Sequence, residues 1–167
     1  IMAALNPQML KLAGEVADGV LLNYLPASHV GTSIEQVKKG GDAKIYAYVH
    51  AAVGDFERSA RSARKDLFNY AMADGYARMF SQAGFEDEIK ELRARQAEKD
   101  REGALAAVSE RMIQAIDFIG NESEVTTFVK GYVNAGVEQP VLMPLPWGED
   151  RREVTDATMR AAINAIT

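Results

Sequence analysis

The chain contains no cysteine. Disulfides, thiolate metal sites and cysteine nucleophiles are therefore excluded. Histidine is scarce too: His29 and His50 are the 2 present in 167 residues, and neither belongs to a metal-ligand spacing. No apolar run approaches bilayer-spanning length, so no membrane partner is expected. Positive charge is not in excess. The 19 Lys and Arg against 24 Asp and Glu give a formal net charge of -5, which argues against nucleic acid as a partner. No Ser-His-Asp spacing, Walker loop or paired-carboxylate motif is present. A secretory signal is also lacking, but Ile1 is not an initiator methionine, so that lack carries no weight. The composition leaves a cytoplasmic location as the expectation.

A hydrophobic content of 47% is enough for one ordinary domain with a sizeable core. The stretch that organises the rest is Asp18-Gly19-Val20-Leu21-Leu22-Asn23-Tyr24-Leu25-Pro26. It is a short apolar run with a helical pattern before it and turn residues after it. A buried parallel strand of a β/α unit reads this way. Upstream, Ile1 to Leu5 reads as a strand. Asn6 then caps a helix over 7–17 with Pro7 at its first position. Downstream, Ser28 or Thr32 caps a short helix that ends near Gly40-Gly41. A third strand covers 43–53, and Asp55 caps a helix reaching about Ala73.

The stretch 74–117 reads as a charge-rich helical insertion, suited either to pocket walls or to a subunit interface. Its charged run over 86–102 is the pattern of a solvated helical face. Ser109 caps a helix carrying Ile113, Ile116 and Ile119, which Gly120-Asn121 ends. Ser123 starts another helix, Pro140 to Pro146 is the last strand, and a terminal helix covers 152–165. Four strands, each followed by helix, make either a small open α/β sheet or half of an eight-stranded barrel.

Several runs carry a family pattern. They are Ala3-Ala4-Leu5-Asn6-Pro7-Gln8-Met9-Leu10, Leu12 to Asn23, Tyr46-Ala47-Tyr48-Val49, Gly120 to Val125, Tyr132 to Val137 and Pro140-Val141-Leu142. In this order the chain resembles the luciferase-like flavin enzymes, most nearly their deazaflavin (coenzyme F420) branch. The resemblance implies an α/β fold that is the C-terminal half of a TIM (β/α)8 barrel. Residues 1–167 would carry parallel strands five to eight, with the helical insertion of about 74–117 before the last strand. A missing N-terminal half-barrel, or a second copy in a homo-oligomer, is then the expected protein partner. The implied activity is hydride transfer between reduced F420 and an organic small-molecule substrate. An FMN-dependent monooxygenase is the alternative, and a non-catalytic binding or structural domain the second alternative. The isolated 167 residues are expected to show little or no activity.

The resemblance also implies sites. In the family the loop after the first of these strands holds the cofactor phosphate, which points to Ala4, Leu5, Asn6 and Gln8. Free N–H groups at a helix start attract an anion. Asn6 departs from the glycine usual there. A left-handed Asn would keep the turn, but its side chain would crowd a phosphate; the other reading of Asn6 is a plain N-cap. Asn23 and Tyr24, at the end of the second strand, either contact the cofactor or brace the loop. Gly19, at the opposite end, serves the fold. His50 is the catalytic candidate, because its charge changes near neutrality; its other reading is a packed, hydrogen-bonded strand residue. His29 is expected in an exposed loop. Leu145, Pro146 and Trp147 cover the cofactor or substrate, touch a second copy, or pack on the terminal helix.

Overall fold

The structure is a computed structural model and describes residues 1–147 and 150–166. Its strands and helices alternate through the first half. They run β1 (Met2–Ala3), α1 (Pro7–Val16), β2 (Gly19–Leu22), α2 (Ala27–Lys38), β3 (Lys44–Val53) and α3 (Phe56–Ala71). Four helices follow: α4 (Asp74–Phe80), α5 (Glu86–Ala97), α6 (Arg101–Ala106) and α7 (Glu110–Ile116). The chain then forms β4 (Asp117–Gly120), α8 (Glu122–Asn134), β5 (Gln139–Pro144) and α9 (Arg151–Ile166). Between α4 and α5, Ser81–Phe85 is a widened turn kinked at Gly84, where φ is 98°.

Short polar side chains fix most helix starts by taking first-turn N–H groups. Asn6 accepts from the Met9 amide at 3.1 Å, Asp55 from Arg58 at 2.9 Å and Ser109 from Met112 at 3.1 Å. α2 differs from expectation. Pro26 occupies its N-cap and offers no side-chain bond, so Ser28 and Thr32 lie inside the helix. α8 also differs: Asn121, not Ser123, caps it. Asn121 accepts from the Glu124 amide at 3.0 Å, and Glu124 returns a bond to the Asn121 amide at 2.8 Å, a full capping box. α8 ends in a paired hydrogen-bond motif through Gly136, at φ 102°, with Val137 N–H on the Tyr132 carbonyl. α1 meets the end of α2 backbone to backbone. A Cβ on Gly40 would fall on the Lys11 carbonyl oxygen, and one on Gly14 on that of Val37.

All strand pairs are parallel. β1 pairs β2, and β2 pairs the first part of β3, with Leu22 opposite Ala47. β5 runs along β3 from Tyr46 opposite Gln139 to Ala51 opposite Pro144. β4 pairs the last part of β3, from His50 opposite Asp117 to Val53 opposite Gly120. His50 and Ala51 therefore have neighbours on both edges of β3, which puts β4 beyond β2 on one edge and β5 on the other. Paired residues share a face. Val20, Ile45, Ala47, Val49 and Ala51 face the helices and are buried. Leu21, Tyr46 and Tyr48 face the other way and are half-buried, while His50 and Asp117 on that same face are buried. Gly19 belongs to the fold: a Cβ there would stand 2.6 Å from the Tyr46 ring.

The expected C-terminal half-barrel with strands five to eight is corrected. The chain builds its own continuous parallel sheet from Met2 to Pro144, with five strands rather than four. The unforeseen strand is β4. Ile113, Ile116 and Ile119 are spaced as on a helix, but α7 stops at Ile116. The Gln114 side chain then bonds both backbone groups of Ile119, at 3.1 and 3.3 Å, and occupies the free edge of this short strand. The helical stretch is consequently followed by β4, not by the last strand. Among the described residues, no helix is long and apolar enough to cross a membrane.

Candidate functional site

The C-terminal ends of the strands form one rim, where βα folds carry their chemistry. At the end of β1, Ala4 is buried, Leu5 half-buried, and Asn6 and Gln8 exposed. Asn6 has φ −99° and ψ 161°, so the left-handed turn is not used and no glycine is required. Its side chain is folded onto the Met9 amide, and its carbonyl takes the Leu10 amide at 2.9 Å. Pro7 has no N–H. Among the described residues, the first-turn donor left over is the Gln8 amide. Leu5 and Pro7 also line a cavity of about 260 Å³ shared with Leu10, His29 and Gln36. His29 is thus half-buried within α2 rather than in an exposed loop, and burial lowers its pKa.

At the end of β2 the chain turns abruptly. Tyr24 has φ 52°, a left-handed conformation that costs a non-glycine residue about 1 kcal/mol or more. The turn breaks strand alternation, so Asn23 and Tyr24 both reach Tyr76. The Asn23 amide donates to the Tyr76 hydroxyl at 3.1 Å, and the rings of Tyr24 and Tyr76 meet edge to face at 6.0 Å. Tyr24 also lies 3.7 Å from the Tyr70 ring and 4.1 Å from the His50 ring. One end of the Asn23 amide is therefore bonded to Tyr76. Its other end, Oδ1, is buried and has no partner.

His50 sits beneath this aromatic cover and is 4% exposed. Its Nδ1 lies 3.2 Å from Oδ1 of Asp117, which is fully buried. The β3–β4 register brings the two together. Tyr24 donates its hydroxyl to Asp66 at 2.5 Å. Burial, followed by that bond, pushes the Tyr24 hydroxyl far above its ordinary range. Burial also pushes Asp117 up to about 6; His50 pulls it down, while the neighbouring Asp66 raises it further. His50 is packed and hydrogen-bonded, with the Tyr24 ring 4.1 Å away.

The rim thus brings together Asn23, Tyr24 and His50. Asn6 and Gln8 stand at the end of β1 and make no bond to that group. Asp66, Tyr70, Tyr76 and Asp117 escaped the sequence reading. Asp66 had a signal: it lies three residues after Ala63 and four before Tyr70 on the buried side of α3. Asp117 had one too, as an acid embedded in the apolar run from Ile116 to Ile119. Leu145 and Trp147 pack against the core, and Leu145 N–H bonds the Ala51 carbonyl at 2.8 Å.

These residues fit a ring-and-phosphate cofactor in two respects. Asn23 presents an unsatisfied buried amide atom beside an aromatic wall. Gln8 offers a free helix-start N–H. Among the described residues, no group of three or more His, Asp or Glu is placed to hold a metal ion.

Comparisons with known proteins agree with this topology. The family model described as luciferase-like monooxygenase matches residues 1–139. A 5,10-methylenetetrahydromethanopterin reductase from Methanopyrus kandleri is 27% identical over 164 residues, covering 93% of this chain and 47% of its own length. The enzyme of the same name from Methanolobus tindarius is 27% identical over 150 residues, covering 84% of this chain and 46% of itself. The solved coenzyme F420 dependent tetrahydromethanopterin reductase from Methanopyrus kandleri superposes with a TM-score of 0.77 at 21% identity, over 99% of this chain and 50% of that one. The chain spans about half the length of the curated relatives it matches.

The resemblance read from the sequence is confined to a C-terminal half, with a missing N-terminal half-barrel as partner. Both expectations are corrected by a family match that begins at residue 1 and a structural match covering 99% of the chain. With 139 of its 167 residues matched in one block, the chain belongs to the luciferase-like monooxygenase family.

Proposed function

We propose that the whole protein is an oxidoreductase that uses coenzyme F420 to pass hydride to or from an organic substrate, with the cofactor held at the strand-end rim. The observation that carries this reading is the buried, unpartnered amide end of Asn23 beside the wall formed by Tyr24, Tyr70 and Tyr76. The names of the relatives support it, since all are reductases and one is F420-dependent. When bound, the deazaflavin supplies the carbon that gives or takes hydride. The chain supplies position and dryness. The Gln8 amide holds an anionic oxygen of the cofactor tail, helped by the helix start. Asn6, Ala4 and Leu5 shape that turn. Asn23 fixes a polar ring edge, and Tyr24 with its aromatic neighbours excludes water. His50 relays a proton from behind Tyr24.

The family model's own description favours a second reading, an FMN-dependent monooxygenase. Separate fluorescence titrations of oxidised F420 and FMN distinguish the two, run on the 167-residue chain and on the whole protein. Tighter binding of F420, with reduced F420 consumed when methylenetetrahydromethanopterin is added, is the expected result. Tighter binding of FMN moves the assignment to the monooxygenase. Binding of neither cofactor by the whole protein removes both and leaves a non-catalytic domain.

A further inference from the structure

Asp117 is fully buried, and one of its oxygens is bonded to nothing. Oδ1 faces His50 Nδ1 at 3.2 Å, whereas Oδ2 has no donor. The Asp66 side chain lies within hydrogen-bonding reach of the Asp117 carboxyl. Asp66 in turn accepts the Tyr24 hydroxyl at 2.5 Å. Two carboxylates in contact inside a protein repel strongly, and ordinarily only one of them ionises.

The other groups around the cluster do not relieve that repulsion. From α8, Tyr132 feels the charge of Asp117 but donates its hydroxyl to the Leu25 carbonyl at 2.9 Å. From α4, Tyr76 is occupied with Asn23. Tyr70, on α3, packs at a tilt against the Tyr24 ring. Tyr24 keeps its proton, because burial and Asp66 both oppose its loss. Tyr48 on β3 stacks on His50 at 6.3 Å. His50 is the group that pulls Asp117 toward the ionised form. A single proton between Asp66 and Asp117 removes the repulsion and turns the orphaned Oδ2 into a donor.

We propose that Asp66 and Asp117 form a buried proton-binding pair, one proton held between their carboxyl groups, with His50 as the group through which that proton is exchanged. The exchange balances without any further reagent. The Asp117 carboxyl turns its O–H from Asp66 toward the Nε2–H tautomer of His50; that O–H bond breaks, an N–H bond forms at His50 Nδ1, and the ring releases its Nε2 proton to a base or water. The cluster is left with both carboxylates ionised and a neutral imidazole carrying hydrogen on Nδ1. A proton returning to Nε2 reverses the sequence. The pairing stands on the unbonded Oδ2 of Asp117, the His50–Asp117 and Tyr24–Asp66 contacts, and the action of Asp66 on Asp117. Only its use in hydride chemistry, where a proton accompanies the hydride, rests on the oxidoreductase reading.

The test is carbon NMR of the full chain with Asp labelled at Cγ, titrated from pH 3 to 8. Asp66 and Asp117 are assigned by Asp66→Asn and Asp117→Asn. Across this range the two signals report the same transition of the pair, as coupled groups do. Asp66→Asn lowers the Asp117 midpoint by roughly one unit or more, because a like charge has been replaced by a donor. Tyr24→Phe raises the midpoint of both signals together, since Asp66 loses the donor that favours its ionised form, and it serves if Asp66→Asn does not fold. Two independent transitions overturn the pair. So does an Asp117 midpoint unmoved by Asp66→Asn, or a Tyr24→Phe effect confined to Asp66. None of these readouts depends on cofactor or turnover, so failure of the pair and failure of the oxidoreductase reading are separately visible.

Discussion

Replacing Asp117 by Asn removes one buried titrating carboxyl beside His50 and Asp66. Burial raises the Asp117 carboxyl from 3.8 to about 6, against the pull of His50 and with a further push from Asp66. Between those two values the folded protein holds a proton that the unfolded chain has already released. Protons bound in the folded state exceed those in the unfolded state, so stability falls as pH rises through this window. The stabilisation is fully present below about pH 4 and gone above about pH 6. Two units at 1.36 kcal/mol each give about 3 kcal/mol. The amide introduced by Asp117→Asn keeps the shape and cannot titrate. Urea unfolding of both proteins at pH 4, 5, 6 and 7 measures the difference, and the carboxylates outside the Asp66–His50–Asp117 cluster cancel in it. The wild-type unfolding free energy, relative to Asp117→Asn, is expected to drop by about 3 kcal/mol from pH 4 to pH 7, mostly before pH 6. Parallel profiles refute the reasoning. A wild-type advantage that grows with pH refutes it more strongly, because it marks Asp117 as an ordinary ion-pair carboxylate with a lowered pKa.

Three further perturbations test other parts of the structure. Asn121→Ala removes the capping box of α8 and costs about 1 kcal/mol, lowering the thermal midpoint by about 2–4 °C; circular dichroism melts showing under 1 °C contradict the cap's role. Gly40→Ala forces a Cβ onto the Lys11 carbonyl and destabilises by about 1–3 kcal/mol, read as an earlier urea midpoint; an unchanged midpoint shows that α1 and α2 are not so closely joined. Asn23→Ala removes the unpartnered Oδ1 at the proposed cofactor site and is expected to weaken F420 binding roughly 3- to 10-fold by fluorescence titration; unaltered affinity takes Asn23 out of the site.

Local signals carried most of the helix starts. Asn6, Asp55 and Ser109 each precede an apolar-periodic run, and each caps the amide three residues on. β4 was hidden because Ile113, Ile116 and Ile119 have helical spacing, and only pairing with β3 and the bonds from Gln114 make residues 117–120 extended. His50 stood out as a rare residue type, but its partner lies 67 positions away. Tyr24 and Asp66 are 42 apart. Such contacts follow from strand register and helix packing, which periodicity within a short window does not encode. The numbering of the strands as five to eight failed for a different reason. A family pattern orders residues along the chain but does not contain the sheet's boundaries.

The most direct measurement is a titration of nitrogen-labelled protein with F420, followed by amide NMR. A cofactor site at the strand-end rim predicts that the largest shifts fall on the Gln8 backbone amide and the Asn23 side-chain amide, with ring-current changes at Tyr24 and Tyr76. Saturating F420 that leaves these signals unmoved, or moves only residues of the α8–α9 layer, would contradict a cofactor site at this rim.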